Sequence, residues 1–211
     1  MSDPFVDPWK RLHEGGYFAR HPHYTNWKLD GDCVLATLRA ELNLSADDDV
    51  LDVGCGYGRI MRALAAHVHT IHGIDVHRDP LRKAEEILAP LDNWYLSVSD
   101  GRTIPYPDAT FSLVYSISTM QHVPDEIARG YIAETMRVLR PGGRCHHEFS
   151  DAGVNGPAGE NGITPDLVRE QTQFRSPDQV FALASGIPGS FGVTIYGPDC
   201  GPRTVALVGR V

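Results

Sequence analysis

Glycines recur at every second position in Asp52-Val53-Gly54-Cys55-Gly56-Tyr57-Gly58, directly after the apolar run Val50 to Val53. Glycine adopts φ values that a Cβ penalises and lets backbone come close to a ligand, so this is a turn suited to holding something against the main chain. Its N–H groups and the start of the following helix favour an anionic group. The third glycine follows the second by two residues, whereas the dinucleotide fingerprint GxGxxG requires three, so the spacing disfavours a nicotinamide cofactor. Two carboxylates stand at comparable places downstream: Asp75 in GIDVH at 73–77, and Asp100 in SDG at 99–101. Taken singly, Asp75 also reads as a solvated turn acid and Asp100 as an Asx-turn before Gly101.

Three further segments carry groups for acid–base or ligand chemistry. His122, in Met120-Gln121-His122-Val123-Pro124, offers an imidazole that titrates near neutral pH. It can take a proton as a general base, and it can equally brace the helix that follows. His146-His147-Glu148 has the composition of a metal site. On a strand, however, His146 and Glu148 share one face while His147 points to the other, so the three cannot jointly hold one ion unaided. No metal is expected, and His146 and Glu148 stand as candidate substrate contacts at a strand end. The first thirty residues crowd Trp9, Tyr17, Phe18, His21, His23, Tyr24 and Trp27 into a stretch with little periodicity. Such a segment serves either as an aromatic lid that surrounds a cation and excludes water, with Tyr17, His21 and Tyr24 as candidate contacts, or as an arm anchored on the core.

The elements that must position these groups follow from periodicity. From residue 50 onwards apolar runs alternate with amphipathic segments, the pattern of an α/β domain with a largely parallel sheet. Strands are expected at Val50 to Val53, Thr70 to Val76, Trp94 to Val98, Phe111 to Ile117, Arg144 to Phe149, about Phe191 to Tyr196 and Thr204 to Val211. The helix after the glycine turn carries Ile60, Ala63, Leu64 and His67 on one face. The next has Asp79 as cap, Pro80 at its first position and Leu81, Ala84 and Leu88 as its buried stripe. A longer helix over about Asp125 to Leu139 aligns Ala128, Tyr131, Ile132, Thr135 and Leu139, and Pro141-Gly142-Gly143 stops it. Ser176-Pro177-Asp178-Gln179 has the form of a capping box, with Gly186 able to end its helix. Val34, Leu35, Leu38 and Leu42 form a helical stripe before the first strand, and the polar stretch Asp151 to Pro165 is a long loop of the kind that covers sites.

Composition narrows the partners. The 211 residues are 42% hydrophobic and 22% charged, which suits one compact domain. A net charge of −8 without any Lys/Arg run disfavours nucleic acid. No stretch approaches the roughly 20 apolar residues that cross a bilayer, and Met1 to Trp9 carries Asp3 and Asp7 where a signal peptide has basic residues. A cytoplasmic protein without nucleic-acid or membrane partners is expected, monomer or homodimer, acting on small molecules. Cys33, Cys55, Cys145 and Cys200 form no CxxC pair and read as reduced thiols.

The order of the motifs is the more specific signal. VLDVGCGYGR at 50–59, GIDVH at 73–77, SDG at 99–101 ahead of IPYPDATFSLVYS, and MRVLRPGGR at 136–144 together resemble class I S-adenosylmethionine-dependent methyltransferases, over about residues 45–150. The resemblance implies an α/β, three-layer Rossmann-like sandwich with a mostly parallel seven-stranded sheet whose last strand is antiparallel. It implies a single methyltransferase domain over residues 1–211: an arm and helix at 1–44 as candidate lid, a cofactor-binding core at 45–150, and a loop, a helix and two final strands at 151–211.

On that resemblance Gly54 and Gly56 pass under the methionine part of S-adenosyl-L-methionine, with Asp52 near its ammonium group. Asp75 accepts both ribose hydroxyls, a task suited to a carboxylate because two oxygens can meet a vicinal diol. Asp100 accepts from the adenine amino group with Gly101 beside it, Val76 or His77 lines the adenine edge, and Ser116 offers its carbonyl to the ammonium. His122 falls where related enzymes meet their substrate. Displacement from a sulfonium needs no metal, so positioning supplies most of the acceleration. The implied activity is methyl transfer to an oxygen or nitrogen of a small metabolite, leaving S-adenosyl-L-homocysteine. A protein methyltransferase and a non-catalytic cofactor-binding partner subunit are the alternatives. An NAD-linked oxidoreductase is opposed by the glycine spacing.

Overall fold

The computed structural model describes residues 7–14, 35, 39, 43–152, 172–196 and 204–211. Tyr17, His21 and Tyr24 lie outside the described residues, as does all but the first two residues of the Asp151 to Pro165 stretch.

Among the described residues eight strands form one sheet: β1 (Asp49–Val53), β2 (Thr70–Asp75), β3 (Trp94–Val98), β4 (Phe111–Ser116), β5 (Leu139–Asp151), β6 (Phe174–Arg175), β7 (Ser190–Tyr196) and β8 (Thr204–Arg210). Their order is β3-β2-β1-β4-β5-β8-β7, with the two-residue β6 pairing β5 off this path. Seven strands were expected from the pattern, and the eighth is too short to leave a periodic trace. Strands β1 to β5 are mutually parallel, and β8 runs antiparallel to both β5 and β7. β1 and β4 are buried along nearly their whole length because both of their faces are covered.

The α-helices are α1 (Asp7–Glu14), α2 (Arg59–Leu64), α3 (Arg78–Leu88), α4 (Asp125–Val138) and α5 (Pro177–Leu183) among the described residues. One face of the sheet, with Leu51, Val53, Val114, Cys145, Phe149 and Leu207, packs on α4 and α5. The other, with Val50, Ile71, Leu113 and Tyr115, packs on α2 and α3. This is the three-layer sandwich. Strand order runs outward from β1 in one direction to β3 and from β4 in the other, which opens a crevice at the carboxyl ends of β1 and β4.

Several local expectations are corrected. The opening segment is not aperiodic throughout, since Asp7 to Glu14 forms α1 with Leu12 buried. The buried stripe of α2 is Ile60, Met61 and Leu64, and the chain then tightens into a 3-10 turn at Ala65–His67; Ala63 and His67 are only half-buried. α3 is capped by His77 rather than Asp79, so Pro80 enters at the third helical position, still within the first turn where its missing N–H costs nothing. α4 ends at Val138 because Leu139 is already extended, at ψ 137°. Pro141-Gly142-Gly143 therefore sits inside β5, where the register jumps from Phe111 opposite Leu139 to Leu113 opposite Arg144 and the intervening residues loop out. The capping box of α5 forms as expected: the Ser176 side chain accepts from the Gln179 backbone N–H, and the Gln179 side chain accepts from the Ser176 N–H.

Candidate active site

The glycine turn leaves the end of β1 and is held down by its neighbours. The backbone N–H groups of Gly54 and Cys55 both donate to the Ile74 carbonyl at the end of β2 (2.8 and 3.0 Å). Gly54 and Gly56 have φ of +79° and +52°, the left-handed region where a side chain is strained. Their surroundings differ sharply. A Cβ on Gly54 would fall 2.3 Å from Thr119 Oγ1, and that hydroxyl donates to the Gly54 carbonyl (3.2 Å). A Cβ on Gly56 would meet no protein atom within 4 Å. Gly54 is thus closed by protein, whereas Gly56 faces open space at the crevice.

Two carboxyl groups stand near the ends of the strands that the turn joins. Asp75 closes β2, and its two oxygens accept from the N–H groups of Gly56 (3.0 Å) and His77 (3.1 Å), which ties turn, strand and α3 together. A third backbone N–H, that of Val76, also bonds this carboxylate. Burial nevertheless pushes its pKa up. Asp52 is buried at the end of β1, where Tyr115 Oη, directly opposite on β4, donates to its Oδ2 (2.8 Å). Burial pushes Asp52 up to about 7, with nearby Asp75 adding to the rise and the Tyr115 bond and Arg59 opposing it. A cationic ligand group beside this pair would favour the ionised form.

Beyond β3, Asp100 is exposed and organises its own loop: Oδ1 accepts from the N–H groups of Arg102 and Thr103, and Oδ2 from the Thr103 hydroxyl. The Thr103 bond, ahead of the opposing effect of desolvation, helps hold its pKa below the usual range. The Asx-type geometry considered from sequence is therefore present, and Oδ2 retains room for one more donor. Gly101 is buried at φ +78° with its N–H on Ser99 Oγ (3.1 Å). Val76 and His77 are half-buried beside Asp75. The Ser116 hydroxyl is fully buried and donates to the Val53 carbonyl, which locks the ends of β1 and β4 to each other (2.8 Å).

His122 lies on a 3-10 turn, Met120–His122, that follows β4. Trp9 of α1 packs on it with ring centroids 4.5 Å apart, so the opening helix reaches this end of the crevice. Arg175, buried in β6, fixes the turn from beneath by donating to the carbonyls of Met120 (3.1 Å) and Val123 (2.7 Å) and to Asp125 Oδ1 (2.9 Å). Sequence reading passed over Tyr115, Thr119 and Arg175. Only the register between distant strands or loops reveals them.

His146, His147 and Glu148 divide across β5 as expected. His146 Nε2 and Glu148 Oε1 pair on one face (3.2 Å), and His147 Nε2 meets Thr135 Oγ1 on the other (3.1 Å). Burial, reinforced by His146, pushes His147 down to about 3. No group of three or more His, Cys, Asp or Glu side chains among the described residues is arranged to hold a metal ion. No helix among them is long and apolar enough to cross a membrane.

Residues 50–143 match the family model described as "Methyltransferase domain". With the strand order and the glycine turn, that match defines the class: this segment is a class I S-adenosylmethionine-dependent methyltransferase domain. The chain is 33% identical over 140 residues to Methyltransferase GfsG of Streptomyces halstedii, covering 60% of this chain and 50% of that one. It is 34% identical over 111 residues to 27-O-demethylrifamycin SV methyltransferase of Amycolatopsis mediterranei, covering 51% and 40%. The matched segment thus spans half or less of these curated relatives. In fold it is similar to a SAM dependent methyltransferase from Aquifex aeolicus, with TM-score 0.67 at 21% identity over 97% of this chain and 98% of that one.

Proposed function

We propose that the chain transfers a methyl group from S-adenosyl-L-methionine to an oxygen or nitrogen of a small metabolite by in-line displacement. The observation that carries this reading is the contrast within the glycine turn: Gly54 is filled by Thr119, while Gly56, whose N–H donates to Asp75, would carry a Cβ that meets nothing within 4 Å. That space suits the cofactor, with Gly54 and Gly56 under its methionine part and Asp52 and the Ser116 carbonyl toward its ammonium. Asp75 takes the ribose hydroxyls, Val76 and His77 the adenine edge, and Asp100 with Gly101 the adenine amino group. When bound, the cofactor supplies an electrophilic methyl on a sulfonium.

His122 serves as the base. It accepts the proton that the acceptor's O–H or N–H loses as its heteroatom bonds to the methyl carbon and the carbon–sulfur bond breaks. Trp9 against His122 supports a role for residues 1–44 as a cover over the acceptor, with Tyr17, His21 and Tyr24 among its candidate contacts, and His146 with Glu148 on the adjacent strand. The rifamycin relative, named for a substrate that lacks a methyl on oxygen, supports oxygen as one acceptor atom.

The test is transfer of labelled methyl from S-adenosyl-L-methionine to a panel of small alcohols, phenols and amines, with His122→Ala run beside the native chain. The reading predicts a labelled product and a turnover loss of about 10²–10⁴-fold in the variant with cofactor affinity intact. Full turnover of His122→Ala across pH removes His122 as base. Cofactor binding without any product favours the non-catalytic subunit.

A further inference from the structure

The turn that carries His122 holds a second polar side chain that the reaction scheme has not used. Gln121 is half-buried, and its side chain bridges the end of β5 to the His122 ring. Ser150 Oγ donates to Gln121 Oε1 (2.9 Å), and Gln121 Nε2 lies 3.1 Å from His122 Nε2. The main chain fixes the same residue, since the Gln173 N–H donates to the Gln121 carbonyl. With its carbonyl oxygen engaged by the serine, the amide presents its N–H₂ to the imidazole. An amide N–H can only donate, so the ring nitrogen that faces it must be the one that carries no proton. The ring proton then sits on Nδ1, which faces Thr172 Oγ1 at 3.4 Å.

We infer that Gln121, held by Ser150, is a positioning residue that keeps His122 in the Nδ1–H tautomer and so makes Nε2 the nitrogen that receives the acceptor's proton. The inference rests on His122 acting as the base. An acceptor O–H or N–H that reaches Nε2 replaces the amide N–H. Among the described residues, Arg175 bonds the carbonyls either side of the turn together with Asp125, and Trp9 of α1 packs on the ring.

The experiment is nitrogen NMR of histidine-labelled full-length chain saturated with S-adenosyl-L-homocysteine, with the His122 signals assigned by their loss in His122→Ala. No acceptor is needed. The native chain should show His122 protonated on Nδ1. Gln121→Glu, which puts a carboxylate where the amide N–H₂ stood, should move the ring proton to Nε2 and raise the His122 titration midpoint by about one unit or more. Ser150→Ala, which frees the amide to turn, should give a mixture of the two tautomers. An Nε2–H ring in the native chain, or a tautomer and midpoint unchanged in Gln121→Glu, would overturn the inference. Full turnover by His122→Ala would instead remove the base assignment and leave the tautomer result standing, so the two failures are distinguishable.

Discussion

Thr119 meets Gly54 twice, donating its hydroxyl to the glycine carbonyl and filling with its side chain the volume that a Cβ would need. Gly54→Ala therefore combines left-handed backbone strain with a clash, and should cost roughly 2–4 kcal/mol of stability in urea unfolding. Adding Thr119→Ala relieves the contacts with Oγ1 and Cγ2, although its Cβ stays 2.8 Å from the new methyl, and should recover part of that loss. No recovery in the double variant would show that those two contacts contribute nothing to the cost. The glycines and acids of the cofactor site were legible in the sequence because each motif is local: a strand end followed at once by the residues that use it. Their partners were not. Tyr115 reaches Asp52 across 63 positions and Thr119 reaches Gly54 across 65, distances over which a pattern carries no information about register.

At the level of elements, the turn bearing His122 is held by β6, the strand that periodicity could not show. Arg175 has its charged head on two carbonyls and Asp125, and its guanidinium lies 5.3 Å from the centroid of the Phe149 ring. Arg175→Met keeps the apolar stem and strips away the donors, leaving the Met120 and Val123 carbonyls without this partner. It should cost about 3 kcal/mol by urea titration and slow methyl transfer with little change in cofactor affinity. Equal losses of turnover and cofactor affinity would place its role elsewhere. The longer elements were legible where burial imposed a period, as in α4 with Ala128, Tyr131, Ile132 and Thr135 all buried. Boundaries were less so. Pro141-Gly142-Gly143 carries the chemistry of a helix stop, yet Leu139 pairs with Phe111 before it and the three residues become a loop within β5.

For the whole molecule, two buried groups set opposite pH dependences of stability. Asp52, raised from 3.8 to about 7, binds a proton in the folded chain that the unfolded chain has released, so its contribution falls as pH rises from about 4 to 7. His147, lowered from 6.5 to about 3, stays neutral while the unfolded chain binds a proton, so its contribution is lost as pH falls from about 6.5 to 3. The two oppose each other across their shared window. Between pH 4.5 and 6.5, Asp52→Asn should make the thermal midpoint rise more steeply with pH than in the native chain, and His147→Gln should make it rise less steeply or fall. Slopes unchanged in both variants would show that neither group titrates as its burial dictates.

On the proposed reading the space above Gly56 is the cofactor's. Calorimetric titration of S-adenosyl-L-homocysteine into the native chain and Gly56→Ala tests this most directly, because the alanine meets no protein atom and its φ of +52° costs only about 1–2 kcal/mol of stability. The prediction is saturable binding to the native chain and an affinity at least tenfold weaker in a variant that remains folded. Equal affinity in the two chains, or no binding to the native one, would contradict it.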